Sequence, residues 1–169
     1  MKRTILITGS SGGIGSVICK YFFDSDWTVI GTDLKNNKNN PYIHHFIKSD
    51  LSKQNSLDNL IVNVKHFTTT LDALVLNAAA QLCKPIESTT LREWDYIFST
   101  NIRAPFYIIK NLLPLLKKSN SATVVNVSSV HARATSKNIS AYAASKGAIS
   151  AFTRAAALEL AEHKIRVNS

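Results

Sequence analysis

Short apolar-rich runs alternate along this chain with stretches of helical periodicity, and that alternation restricts the fold more than any other feature. Residues 3–8, RTILIT, end in glycines and suit a buried parallel strand. The period then changes: Ile14, Val17, Ile18, Tyr21 and Phe22 recur at the spacing of an amphipathic helix. Further strands are expected at 27–33, 42–48, 72–77 and 122–129, with the beginning of another at 164–169. Leu57, Leu60, Ile61 and Val64 mark a second helix, residues 91–117 a long third and residues 140–163 a fourth. Pro105 and Pro114 predict a bend or break in the long helix. The loop LKNNKNNP, residues 34–41, has no periodicity. Strands alternating with helices predict an α/β, Rossmann-like, doubly wound parallel sheet in three αβα layers. In such sheets ligands bind beyond the carboxyl ends of the strands.

One such end carries TGSSGGIG, residues 8–15, between the first strand and the first helix. Glycine permits positive φ and close approach of a phosphate, and a helix N-terminus offers unpaired N–H donors. Asp33 ends the second strand, 18 positions after Gly15, where a carboxylate would accept hydrogen bonds from an adenosine ribose. Its charge disfavours a 2′-phosphate, and neither Gly12 nor Leu34 is replaced by a compensating cation, with Lys35 the one exception. NAD is therefore expected over NADP. The glycine spacing fits both TGxxxGxG, through Gly9, Gly13 and Gly15, and TGxxGxxG, through Gly12.

Composition removes several other classes. No apolar run approaches the roughly 20 residues that cross a bilayer, and the opening MKRTILITGSSGG reads as a first strand rather than a leader. Cys19 and Cys83 are too few for a disulfide framework and wrongly spaced for zinc, which points to a reducing, cytoplasmic setting where the sequons at Asn126 and Asn138 are inert. The net charge of +9 is scattered over every segment without a dense basic helix, so a solvated surface is expected, with no nucleic-acid partner. His44 and His45 are neighbours on a strand, point to opposite faces and cannot chelate together, and no metal site is expected. Asp24 and Asp26 read as solvated turn residues.

Later motifs settle the branch left open by the glycines. SDL at 49–51, NAAA at 77–80, TNI around Asn101, NVSS ending at Ser129 and YAASK beginning at Tyr142 follow one another in order. Together with the glycine turn they resemble the short-chain dehydrogenase/reductase family, in its simple single-domain branch, across essentially all 169 residues. Ala80 stands where the family's NNAG or NAAG segment has glycine. The resemblance implies one NAD(P)-binding Rossmann domain over 1–169 and an oxidoreductase moving hydride between nicotinamide and a secondary alcohol or ketone. It implies that Gly9, Ser11, Gly13, Ile14, Gly15, Asp33, Asp50, Leu51, Asn77, Ala78, Tyr142 and Lys146 contact the cofactor, with Asp50 at the adenine. Tyr142 would be the general acid/base, Lys146 the cation that favours its phenolate, Ser129 a donor to the substrate oxygen, and Asn101 the holder of a water leading from Lys146 to solvent. His131 and Arg133 would border the substrate pocket.

The chemistry is consistent with these roles. Residues four apart share a helix face. A free phenol titrates near 10, and a cation about 5 Å away in an effective dielectric of about 20 favours the phenolate by roughly 3 kcal/mol. The alanines of AYAASKGAIS keep the helix slim, so that it packs closely while Tyr142 and Lys146 project into the site.

Family members continue beyond the motif IRVNS into a substrate-covering segment, whereas this sequence ends at Ser169. The last strand or strands and the substrate loop are thus expected to be missing, with an exposed sheet edge. A fragment, a naturally short homologue and a partner-dependent subunit are the three explanations. A non-catalytic NAD-binding or regulatory module is the alternative to an enzyme, and a purely structural interaction protein is third. The wide apolar surface of 91–117, beside 140–163, predicts a homo-oligomer, dimer or tetramer.

Overall fold

All six strands of the sheet are parallel and lie in the order β3-β2-β1-β4-β5-β6. The computed structural model describes residues 2–35 and 39–169, so the expected loop 34–41 falls partly outside the described residues, at Asn36, Asn37 and Lys38. The strands are β1 (Thr4–Thr8), β2 (Thr28–Asp33), β3 (His45–Lys48), β4 (Ala73–Leu76), β5 (Thr123–Asn126) and β6 (Arg166–Asn168). The order reverses between β1 and β4, which opens a crevice at their carboxyl ends.

Alternation along each strand divides the core in two. Leu6, Leu74, Val124 and Val167 face one side, under helices α2 (Gln54–Phe67), α4 (Ala104–Leu116) and α5 (Ser140–Leu160). Ile5, Ile7, Val29, Ala73 and Val75 face the other, under α1 (Gly13–Asp24), where Cys19 is buried with them. Helices therefore cover both faces. Val125 and Val127 lie on the α1 side and are only half-buried, and β6 forms one edge of the sheet.

Local details give the expectation its form: β3 starts late, the disturbance expected at Pro105 is a widened turn, and the one expected at Pro114 does not occur. The strand expected at 42–48 begins only at His45, because a side chain replaces the backbone in the ladder. The Val29 N–H donates to Nδ1 of His44 at 3.1 Å, while the His44 N–H donates to the Val29 carbonyl. The two histidines do face opposite ways, His45 stacking on Phe67 and His44 lying beside Phe23.

The long helix divides into α3 (Leu91–Phe98), a π-helical turn Ser99–Arg103, and α4. Pro105 has no N–H to give the Asn101 carbonyl four residues earlier, and its ring would strike that carbonyl in an α-helix. The widened turn is the local response, and such turns often mark functional sites. Pro114 breaks nothing: α4 runs through it to Leu116, and the carbonyl four residues back belongs to exposed Lys110, where water can pair it. Among the described residues, no helix is long and apolar enough to cross a membrane.

Candidate active site

The glycine turn is fixed by contacts that exclude side chains. Gly9 has φ +67°, and a Cβ there would sit 2.8 Å from Nδ2 of Asn77. At Gly15 a Cβ would fall 2.0 Å from the Gly9 carbonyl oxygen, so α1 can start against the turn only through glycine. Asn77 holds the same turn from β4 by donating to the carbonyls of Thr8 and Gly9 at 3.1 and 3.2 Å. The Ala78 N–H donates to Oγ1 of Thr8 at 3.0 Å. Gly13 differs: nothing lies within 4 Å of where its Cβ would be. No side chain caps the N-terminus of α1, and no acidic residue stands in its first turn.

In front of this turn lies a cleft of about 500 Å³, reaching from Gly12, Gly13 and Ile14 past Asp33, Asp50 and Leu51 to Asn77, Ala78 and Thr100. Asp33 is held in place by backbone donors, with Oδ2 accepting from Ser11 and Oδ1 from Lys35, both at 3.0 Å. At Asp50 burial works against the charge, but donation from the Ser52 hydroxyl and N–H, with Lys53 3.6 Å away, outweighs it and holds the carboxyl below its usual range. One hydroxyl on the wall of this space, Oγ1 of Thr100, is buried without a partner. An open glycine, an uncapped helix start, a strand-end carboxylate and an orphaned hydroxyl together fit a dinucleotide carrying a pyrophosphate and ribose hydroxyls.

Beyond the cleft stands the expected catalytic group. Lys146 is 3% exposed. Its Nζ donates to the Val127 carbonyl at 2.6 Å and lies 5.6 Å from the centroid of the Tyr142 ring. Burial pushes this lysine down from its ordinary 10.5 to about 8. Half-buried Tyr142 meets the His131 ring edge-on, with centroids 5.9 Å apart. Ser129 accepts from the His131 N–H at 3.2 Å, which caps a short 3-10 turn, Val130–Ala132.

Asn101 joins the two regions. It is buried in the π-helical turn, with Oδ1 accepting from the Ala80 N–H at 2.8 Å and Nδ2 donating to the Ala80 carbonyl at 2.9 Å. Nδ2 also donates to Oγ of Ser145 at 2.9 Å, and that hydroxyl donates to the Tyr142 carbonyl at 2.7 Å. Ala80 is therefore bound at both backbone groups. It does not need glycine, because left-handed backbone among the described non-glycine residues is confined to Asp26, Asn138 and Lys164.

Some expected residues lie elsewhere. Gly15, Ser11, Tyr142 and Lys146 are not on the wall of the cleft, and Gly15 serves to pack α1 on the turn. Arg133 is exposed. Conversely, Tyr96 and Thr100 line the cleft although the sequence pattern places both on an ordinary helix. Only the adjacency of Thr100 to Asn101 could have pointed to it.

The profile of the short chain dehydrogenase family matches residues 3–169. The chain belongs to that family. This short-chain dehydrogenase is 31% identical to the cyclopentanol dehydrogenase of Comamonas testosteroni, over 99% of its own length and 70% of the relative's. A short chain dehydrogenase family protein from Francisella tularensis superposes with a TM-score of 0.91 at 30% identity, covering 99% of this chain and 68% of that one. The 3-ketoacyl-(acyl-carrier-protein) reductase of Brucella melitensis, solved with NADH, gives 0.89 at 28% identity, over 98% and 72%. The family assignment makes the protein an oxidoreductase and favours that reading over a non-catalytic binding module.

Proposed function

We propose that the protein oxidises a small secondary alcohol to a ketone, or runs the reverse reaction, with NAD as the redox partner. The observation that carries this reading is the placement of the Lys146 ammonium beside the Tyr142 ring, on the helix that Asn101 ties to the cleft wall. A bound nicotinamide supplies the hydride acceptor for oxidation and the donor for reduction. The protein's part is proton transfer and positioning. Tyr142 takes the hydroxyl proton at its phenolic oxygen as the carbinol hydrogen leaves, and returns it in reduction. Lys146 stabilises the phenolate by its charge, and the Ser129 hydroxyl orients the substrate oxygen.

Asp33 supports NAD over NADP, since a carboxylate already fixed by the N–H groups of Ser11 and Lys35 cannot swing away from a 2′-phosphate. The names of the relatives support the substrate class, cyclopentanol being a small secondary alcohol. A homo-oligomer is proposed to form through α4 and α5, where Phe106 is exposed and meets Phe152 edge-on at 6.3 Å across the two helices. A reducing, cytoplasmic setting is proposed from the free thiols of Cys19 and Cys83.

The test is NADH formation across a panel of secondary alcohols beginning with cyclopentanol, with NAD and NADP compared. Turnover with NAD on at least one alcohol supports the reading. Tight NADH binding with no turnover on the panel, in either direction, removes it.

A further inference from the structure

Lys146 and Tyr142 share a link through Ser145, whose hydroxyl donates to the Tyr142 carbonyl, but each has a further anchor of its own. Lys146 is anchored to the end of β5 through Val127, and the adjoining Ser145 to Asn101. Tyr142 stands in the first turn of α5, and that turn has neither a side-chain cap nor an acidic residue of its own. A further support comes from outside the helix. Asn138, two residues before α5, has left-handed backbone, φ 65°, and its carbonyl accepts a 2.6 Å hydrogen bond from the Lys84 N–H. The side chain of the same lysine reaches the other way, with Nζ 2.9 Å from both carboxylate oxygens of Glu93. Glu93 is itself fixed, because its Oε2 accepts from the N–H and hydroxyl of Thr90 in the capping box that starts α3. Donation from the Thr90 N–H, the Lys84 ammonium and the Thr90 hydroxyl pulls the Glu93 carboxyl down to about 2. A chain of contacts thus runs from α3 through Lys84 to the segment that launches Tyr142.

We propose that Lys84, clamped by Glu93, is a positioning residue that fixes the first turn of α5 and so sets where the Tyr142 hydroxyl stands relative to Lys146. The proposal rests on the reading of Tyr142 as the proton-transfer group. Lys84 lines no part of the dinucleotide cleft, so it acts through Asn138 rather than on the cofactor. Both partners of the ion pair are about one-third exposed. Such a pair adds little to global stability. A reacting group displaced by about 1 Å, by contrast, loses on the order of 100-fold in rate. The two readouts should therefore separate.

The experiment compares the full chain with Lys84→Met, Glu93→Gln, the double variant and Lys84→Arg. Cyclopentanol, or the best alcohol of the panel, is the substrate, and Tyr142→Phe is run alongside. Expected are a fall in kcat of about tenfold or more for the two single variants and no further fall in the double, because they break one contact. Lys84→Arg should recover most of the loss, and the NADH titration midpoint should stay within about twofold. The melting temperature should move by no more than about 3 °C. Hydrogen exchange gives a readout independent of turnover: the Ala143 amide, bonded to the Ile139 carbonyl, should exchange faster in Lys84→Met while amides of β5 do not change. Unchanged kcat together with unchanged Ala143 exchange overturns the proposal, and so does a loss that Lys84→Arg fails to recover. Full turnover by Tyr142→Phe would instead overturn the function on which it rests, and the Ala143 exchange would still report on the clamp.

Discussion

The Nζ atom of Lys146 lies 5.6 Å from the centre of the Tyr142 ring and donates at 2.6 Å to the Val127 carbonyl. Burial disfavours the ammonium, and the carbonyl it points to favours it. A lysine brought down to about 8 still carries its charge at neutral pH, where that charge can act on the phenol.

This balance predicts a pH-dependent stability. The native value of about 8 lies below the ordinary 10.5, so below about pH 8 the folded state carries a buried charge that the unfolded chain would solvate. Between the two values the unfolded state binds more protons, and the lysine's contribution improves as pH rises. Lys146→Met removes a penalty of roughly 3 kcal/mol but leaves the Val127 carbonyl unpaired, at a cost of roughly 1–3 kcal/mol. The variant should therefore nearly match the parent in urea unfolding at about pH 7 and fall clearly behind it at about pH 10. A stability difference that does not change with pH would contradict the assignment.

The glycines of the turn should separate by role. Gly15→Ala forces a methyl to within 2.0 Å of a carbonyl oxygen and should cost about 3 kcal/mol or more, or prevent folding. Gly13→Ala meets open space at the start of a helix, so stability should hold or rise by up to about 1 kcal/mol while NADH binding weakens. Chemical unfolding and fluorescence titration of the pair check this, and equal destabilisation by both would refute it.

Asn101 is bound as both donor and acceptor. Asn101→Ala orphans the Ala80 N–H and carbonyl and should destabilise by roughly 2–3 kcal/mol. Asn101→Asp has nearly the same shape but points an oxygen at the Ala80 carbonyl, so it should be no better than alanine. Near-parental stability of the aspartate variant in urea would show that the amide is not the link between Ala80 and Ser145.

Asp33→Asn keeps an acceptor and removes the charge. The ratio of NADH to NADPH affinity should fall by about tenfold, roughly 1.4 kcal/mol. Fluorescence titration with both nucleotides measures it, and an unchanged ratio would mean that Asp33 does not set cofactor choice.

Much of this architecture was legible in the chain because one-face and two-face burial leave different periods. Leu6 and Ile7 face opposite layers, and both are apolar, which marks a strand covered on both sides. The roles proposed for Ser129, Tyr142 and Lys146 rest on the resemblance to the family's motifs, and the structure puts the lysine beside the tyrosine ring. What was not legible depends on partners distant in sequence. Nothing local to His44 announces that its imidazole takes the Val29 N–H and delays the strand. Pro105 signalled a disturbance but not its form, a widened turn that buries Asn101 against Ala80 and Ser145. Tyr96 and Thr100 line the cleft four residues apart, on one helix face, but nothing in the sequence marks that face as the one turned to the cleft. The Lys84 contacts join residues from three separate segments and leave no periodic trace.

The most direct measurement removes one oxygen atom. With Tyr142→Phe, NADH fluorescence titration should give a midpoint within about twofold of the parent, while alcohol oxidation falls by at least about 100-fold. Retained binding with lost turnover is the result this account requires. Turnover within a few-fold of the parent would show that the phenol does not move the proton, and that the lysine beside it serves some other purpose.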